Sequence, residues 1–253
     1  MSSFFQNFPL VGYNFGTETT PALFQDISAY IKIIDDIKDD IAFYTTVHIQ
    51  DYDRPDNFSY KLYGTTEFYW TFYYLNDDLR ESGWPLPQQD LLPKAKIDYP
   101  HQTIVTTADI SSIFLPGQTA LGLGVGNASG IVVKRYLDLG QIVIQTSDTF
   151  DTTEVVVPVI NGVEQTADFI RISSSVVQYN SVHHYENSSG EHVDPGLVPA
   201  GRGDTAFPST AGKTPITYFN RITAKNDSLR EIKCLKPDVA VQVKSEFNKL
   251  LKG

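Results

Sequence analysis

Cysteine is nearly absent from this chain of 253 residues: Cys234 stands alone, so no internal disulfide can staple the fold. Long apolar runs are missing too. None approaches the roughly 18 residues that a membrane-crossing helix needs, and no membrane association is expected. Basic charge is scarce, with 20 Lys and Arg against 30 Asp and Glu and a net charge of −10. Nucleic-acid affinity rests largely on Lys and Arg neutralising phosphates, so neither DNA nor RNA is expected as a partner. The opening MSSFFQNFPLVGYNFG has no basic segment leading into an apolar one, so folding in a reducing cytoplasm is expected.

Aromatic residues, by contrast, are plentiful. They make up 12% of the chain, within an apolar content of 41%, the composition of a folded protein. They concentrate in KLYGTTEFYWTFYYLND, Lys61 to Asp77, where 7 of 17 residues carry rings. The segment reads as a helix capped by Thr65 or Thr66 and running to Asn76. On it Phe68, Phe72 and Leu75 form one stripe, Tyr69 and Tyr73 a second, and Trp70 and Tyr74 a third. One small core cannot cover three stripes. Phe58, Leu62, Phe68, Phe72 and Leu75 are therefore assigned to the module's own core, and Tyr69, Trp70, Tyr73, Tyr74 and Trp84 to a surface met by another protein. Core packing is the competing reading for every ring. Further rings, Phe4, Phe5, Phe8, Tyr13 and Phe15, lie on what reads as an extended arm without periodicity. Leaving them in water is costly, so they are expected to dock on this chain or on a neighbour.

The order of elements reads as an α+β protein in four regions. Residues 1–42 hold the arm and DISAYIKIIDDIKDDIAFY, which fits both strand and helix spacing; its β-branched residues favour a strand over Tyr30 to Ile34. Residues 43–100 begin with the strand-like FYTTVHIQ. A short helix follows, with Asp53 as N-cap, Pro55 in its first turn and Gly64 at its left-handed end. After the aromatic helix, Pro85, Pro87, Pro93 and Pro100 mark an extended connector. Residues 101–165 carry short Val/Ile/Thr-rich runs such as SGIVVKRYL and GQIVIQT, read as a small all-β barrel or sandwich. Residues 166–253 hold a strand pair in SSSVVQYNSVHHYEN, a long Gly/Pro/Ser loop, the strand REIKCL, and an amphipathic helix opened by Pro237 and Asp238.

Several motifs fail on inspection. GLGVGNASG, Gly122 to Gly130, completes neither register of GxGxxG and is followed by a strand-like run, so no helix N-terminus faces a phosphate; turn or bulge glycines are the better reading. AGKT at Ala211 to Thr214 lacks the first glycine of a phosphate loop and runs into Pro215. DYDRPD lacks the glycine and bidentate glutamate of a calcium loop. His183, His184 and His192 form the only histidine cluster, but neighbours on a strand point to opposite faces, so His183 and His184 are not expected to share an ion. Arg202-Gly203-Asp204 is an integrin-like triplet in a Gly-rich loop. No nucleophile, acid or base stands out, and neither catalysis, cofactor nor metal is expected.

Two resemblances are carried by these residues. The order YTTVHIQDYDRPD, a helix ending KLYG, Thr-Thr and a second helix closing on Asn76 resembles a LysM module, which implies a βααβ fold; its second strand is expected in LPKAKIDYP. DRPDNFSYKLYGTTEFYWTFYYLNDD with GWPL, DISAYIKIIDDIK and REIKCLKPDVAVQVKSEFNKLL is similar to the gene product 53 family of baseplate wedge subunits in contractile-tailed, T4-like phages. That resemblance implies a structural virion protein without catalysis, present in multiple copies, on the order of six, around the tail hub, and clamping neighbouring wedge and hub-proximal subunits. The β-rich middle would be an inserted module. The LysM likeness alone implies a second possibility, binding of peptidoglycan or another N-acetylglucosamine polymer.

Overall fold

A computed structural model describes residues 10–16, 20–25, 42–124, 126–198, 201 and 210–252. The predicted strand over Tyr30 to Ile34, the rings Phe4, Phe5 and Phe8, and Arg202 to Asp204 lie outside the described residues. The protein mixes helix and sheet, an α+β fold. In chain order the strands are β1 Leu10–Tyr13, β2 Ala22–Gln25, β3 Tyr44–His48, β4 Gln102–Val105, β5 Thr119–Leu123, β6 Ser129–Tyr136, β7 Gln141–Gln145, β8 Val155–Ile160, β9 Val163–Glu164, β10 Ile170–Arg171, β11 Ser174–Val177, β12 Val182–Glu186, β13 His192–Val193, β14 Thr214–Thr217 and β15 Glu231–Leu235. The helices are α1 Pro55–Tyr63, α2 Tyr69–Leu75, α3 Asp77–Ser82, α4 Gln88–Asp98, α5 Tyr218–Ser228 and α6 Pro237–Lys252. The chain forms two compact units, residues 1–88 with 225–253, and residues 89–224, boundaries that differ from the four regions read above.

In the first unit, β3 finds its partner far away in sequence. It pairs antiparallel with β15, from Tyr44 opposite Leu235 to His48 opposite Glu231. The expected closing strand in LPKAKIDYP is instead part of α4, which from residue 89 onward belongs to the second unit, and the stretch read as an extended connector is helical from Gln88. Pro93 sits inside that helix, at the cost of one backbone hydrogen bond, while Leu91 and Ala95 turn inward. Helix α1 starts with Pro55 and ends at Gly64, whose φ of 69° is the left-handed conformation glycine tolerates best. Its N-cap is Arg54 rather than Asp53. Asp53 is buried, accepts from the Gln50 N–H at 3.1 Å and pairs with Lys61, so it ties the strand end to the helix rather than capping it.

The aromatic helix is shorter than predicted. Thr65 and Thr66 stay in a turn, with the Thr65 carbonyl accepting from the Ser59 hydroxyl at 2.8 Å, and α2 begins only at Tyr69. Asn76 then leaves helical geometry, at φ −127° and ψ 100°. Its amide donates to the carbonyls of Phe72 and Lys233, at 2.8 and 2.9 Å, and its side-chain oxygen accepts from the Lys233 N–H at 2.8 Å. One side chain thus ends the helix and fixes it to β15.

In the second unit an antiparallel sheet runs in the order β10-β8-β5-β6-β7-β4-β11, with β9 added to β8. Its outer members are consecutive stretches of one segment: Ile170 and Arg171 pair with Val156 and Val155, and Ser174 to Val177 pair with Val105 to Gln102. The sheet's two edges therefore meet along residues 170–177. Ile104, Ile142, Ile144, Phe150, Val156 and Ile170 are among the buried residues that fill its interior. The strand pair expected in SSSVVQYNSVHHYEN is not a hairpin. Strand β11 joins the large sheet through β4, whereas β12 lies between β13 and β14 in a sheet of three strands. The single 3-10 turn Gln178–Asn180 separates the two strands and allows this change of partner.

Candidate interaction surface

The rings around residue 70 are covered by their own chain. Trp70 is 4% exposed and Phe72 fully buried. Phe68, Trp70 and Leu75 pack with Leu235, Ala240 and Val243, so β15 and α6 close over the stripe that was assigned to a partner. Lys244 of α6 adds an ion pair to Glu67 and lies over the Phe68 ring. Phe72 packs on the other side with Ile49, Phe58, Leu79, Ile232 and Cys234. Tyr69, Tyr73 and Tyr74 are half-buried and pack against these clusters. Trp84 is also used internally: its indole N–H donates to the Asp53 carbonyl at 2.6 Å, and its ring meets Phe58 and Phe72 at 5.8 Å each. The reading of Trp70 as a contact residue is therefore corrected. The three-stripe argument assumed a core made only of neighbours in sequence, whereas the cover arrives from residues 231–244.

The N-terminal hairpin presents the opposite case. The predicted extended arm is, over its described part, two four-residue strands paired from Leu10 opposite Gln25 to Tyr13 opposite Ala22. Strands this short carry too little alternation to be read from sequence. Val11 and Tyr13 share a face with Phe24, its cross-strand partner, while Leu10 and Leu23 belong to the other. Phe15 bridges the rings, 5.4 Å from Tyr13 and 5.7 Å from Phe24 between centroids. Exposure is 62% at Tyr13, 53% at Phe15, 65% at Leu23 and 50% at Phe24. Val11, Tyr13, Phe15 and Phe24 line a shallow apolar cavity of about 280 Å³. Val11, Leu23 and Phe24 were not singled out from the sequence; the ALFQ run after Pro21 was the available signal.

The remaining candidates resolve into structure. The glycines of GLGVGNASG make room for a carboxylate: a Cβ on Gly124 would stand 2.4 Å from Cγ of buried Glu154, and the Gly126 N–H donates to that carboxylate at 2.7 Å. Lys213 of the AGKT segment donates to the carbonyls of Asp194 and Pro195, both at 2.9 Å, and so clamps a loop. Cys234 is fully buried, and burial pushes its thiol up to about 12, so it holds no thiolate at neutral pH. A polar groove of about 280 Å³ lies beside Asn76, Asp77, Asp78 and Lys233, and no aromatic side chain is among its lining residues.

The histidine cluster differs from expectation. A register shift between Val182 and His184 breaks the alternation of β12, and Nδ1 of His183 lies 2.9 Å from Nδ1 of His184. Among the described residues no group of three or more His, Cys, Asp or Glu is placed to hold a metal ion. No helix among them is long and apolar enough to cross a membrane. No protein-family model matches this chain, and no curated protein matches its sequence significantly.

Proposed function

We propose that this chain is a structural assembly subunit, a baseplate wedge protein of a contractile phage tail, and that its N-terminal hairpin is a contact it offers to neighbouring subunits. The observation that carries this reading is the apolar face of Val11, Tyr13, Phe15 and Phe24, left in water by a chain that buries its other large aromatic cluster. An isolated two-stranded hairpin is marginally stable in water, and its unpaired edges and exposed rings gain most when another surface covers them. The acidic charge keeps such a subunit soluble before assembly.

The finer fold reading belongs to the same proposal. Strand β3, helices α1 and α2 and strand β15 are in the βααβ order of a LysM module, with the second unit inserted before the closing strand. The meeting of both sheet edges on residues 170–177 supports a small barrel for that insert. The groove beside Asn76 is where the sugar-binding alternative would have to act, and its lining offers no ring for a sugar face to stack on.

The test compares tagged wild-type chain with the Tyr13→Ser/Phe24→Ser double variant during assembly of tail particles. The expected result is a variant that remains folded but is depleted from purified particles. Incorporation at the wild-type level would overturn the hairpin's role, and absence of the wild type from particles would overturn the family reading. Saturable binding of N-acetylglucosamine oligomers to the full chain would favour the sugar alternative.

A further inference from the structure

We propose that Arg221, His183, His184 and Glu186 form an acid-sensitive latch that ties α5 to β12 while both imidazoles are neutral and releases it when the pair takes up a proton. The chain of contacts is continuous. An Nη atom of Arg221 lies 2.8 Å from His183 Nε2, His183 Nδ1 lies 2.9 Å from His184 Nδ1, and His184 Nε2 lies 3.0 Å from a carboxylate oxygen of Glu186.

The hydrogen positions follow from donor chemistry. Guanidinium groups only donate, so His183 Nε2 must accept and carry no hydrogen. Neutral His183 then holds its hydrogen on Nδ1 and donates it to His184 Nδ1. His184 in turn is left with its hydrogen on Nε2, where the Glu186 carboxylate accepts it. Every donor meets an acceptor, and only one pair of tautomers achieves this. The arrangement puts His183 in the less common Nδ1–H form.

An added proton has no place in this chain. On His183 Nε2 it would point at the Arg221 guanidinium; on His184 Nδ1 it would point at the Nδ1 hydrogen of His183. Either location turns a hydrogen bond into a donor–donor contact, and the contact between α5 and β12 opens. The groups facing the pair are Arg221 and Tyr218 on α5, His192 on β13, Lys134 on β6 and Glu186 on β12, while β14 carries no titratable side chain. Glu186 is the one carboxylate among them.

The direction of the effect is fixed by His183. Burial, then Arg221, His184, His192 and Lys134, hold its imidazolium form below the ordinary value of 6.5. Open or unfolded chain takes a proton near that ordinary value, while the latched form resists it. The latch therefore contributes fully above pH about 6.5 and is lost as pH falls from there through the lower value of the closed form. One linked proton changes the opening equilibrium by at most about tenfold per pH unit.

The test is nitrogen-15 NMR of the imidazoles in the full chain, combined with hydrogen exchange of the β12 amides corrected for intrinsic pH dependence. At neutral pH the spectra should show His183 as the Nδ1–H tautomer and His184 as Nε2–H. On acidification β12 exchange should accelerate several-fold. Arg221→Met should return His183 to the Nε2–H tautomer and raise its titration midpoint, and His183→Gln should flatten the acid response. An Nε2–H tautomer for His183 in the wild type, or an acid response unchanged in both variants, would overturn the latch.

Discussion

Two clusters of rings in the same chain meet opposite fates. Helix α2 and its surroundings crowd Phe68, Tyr69, Trp70, Phe72, Tyr73 and Tyr74 into seven residues and bury the three largest demands on cover, Phe68, Trp70 and Phe72, to 4% exposure or less. The hairpin of β1 and β2 carries only Tyr13, Phe15 and Phe24 and leaves each at least half in water. Ring density alone therefore does not tell which rings the fold leaves exposed. What decides is whether the chain returns: β15 and α6 come back across α2 after the second unit, closing its outer stripe, while the described hairpin residues have no comparable apolar cover.

The sharpest way to break this comparison is to empty the covered side. Trp70→Ala should remove a buried indole from the cluster shared with Leu235, Ala240 and Val243, with a loss of about 3–5 kcal/mol of unfolding free energy in urea denaturation. A loss below about 1 kcal/mol would mean that α6 does not close over that ring. A smaller effect is expected at the clasp that brings the cover into place. Asn76→Ala deletes the bonds to Phe72 and to both backbone groups of Lys233, and should cost about 1–3 kcal/mol by the same measurement. The smallest effect belongs to the hairpin. Phe24→Ser should change the stability of the free chain by no more than about 0.5 kcal/mol, because the residue is already half exposed and belongs to neither buried cluster of the first unit. A larger loss would place Phe24 in the fold rather than on its surface.

Much of the local architecture was legible because local rules dominated it. Pro55 and Gly64 bracket α1 as their backbone preferences require, REIKCL forms β15, and the Val/Ile-rich runs form β4, β6, β7 and β8. Long-range pairing was not legible. Nothing near α2 announces that the partner of β3 lies beyond residue 230, so the closing strand was sought in LPKAKIDYP, where the prolines concealed a helix. The same blindness places Trp70 on the outside, since neighbours in sequence alone give it no cover, whereas Leu235, Ala240 and Val243 do. The glycines of GLGVGNASG read as turn or bulge positions, but their purpose, space for the buried Glu154 side chain, depends on a residue on the far side of β6 and β7 in sequence. The bulge that turns His183 toward His184 is likewise a property of pairing with β14 rather than of the VHHYE sequence.

Hydroxyl-radical footprinting read by mass spectrometry, on the free chain and on assembled particles, tests the central claim most directly. The account predicts that Tyr13, Phe15 and Phe24 are oxidised readily in the free chain and protected after assembly, while Trp70 and Phe72 stay unreactive in both. Ready oxidation of Trp70 in the free chain, with hairpin rings that remain equally reactive inside the particle, would contradict it.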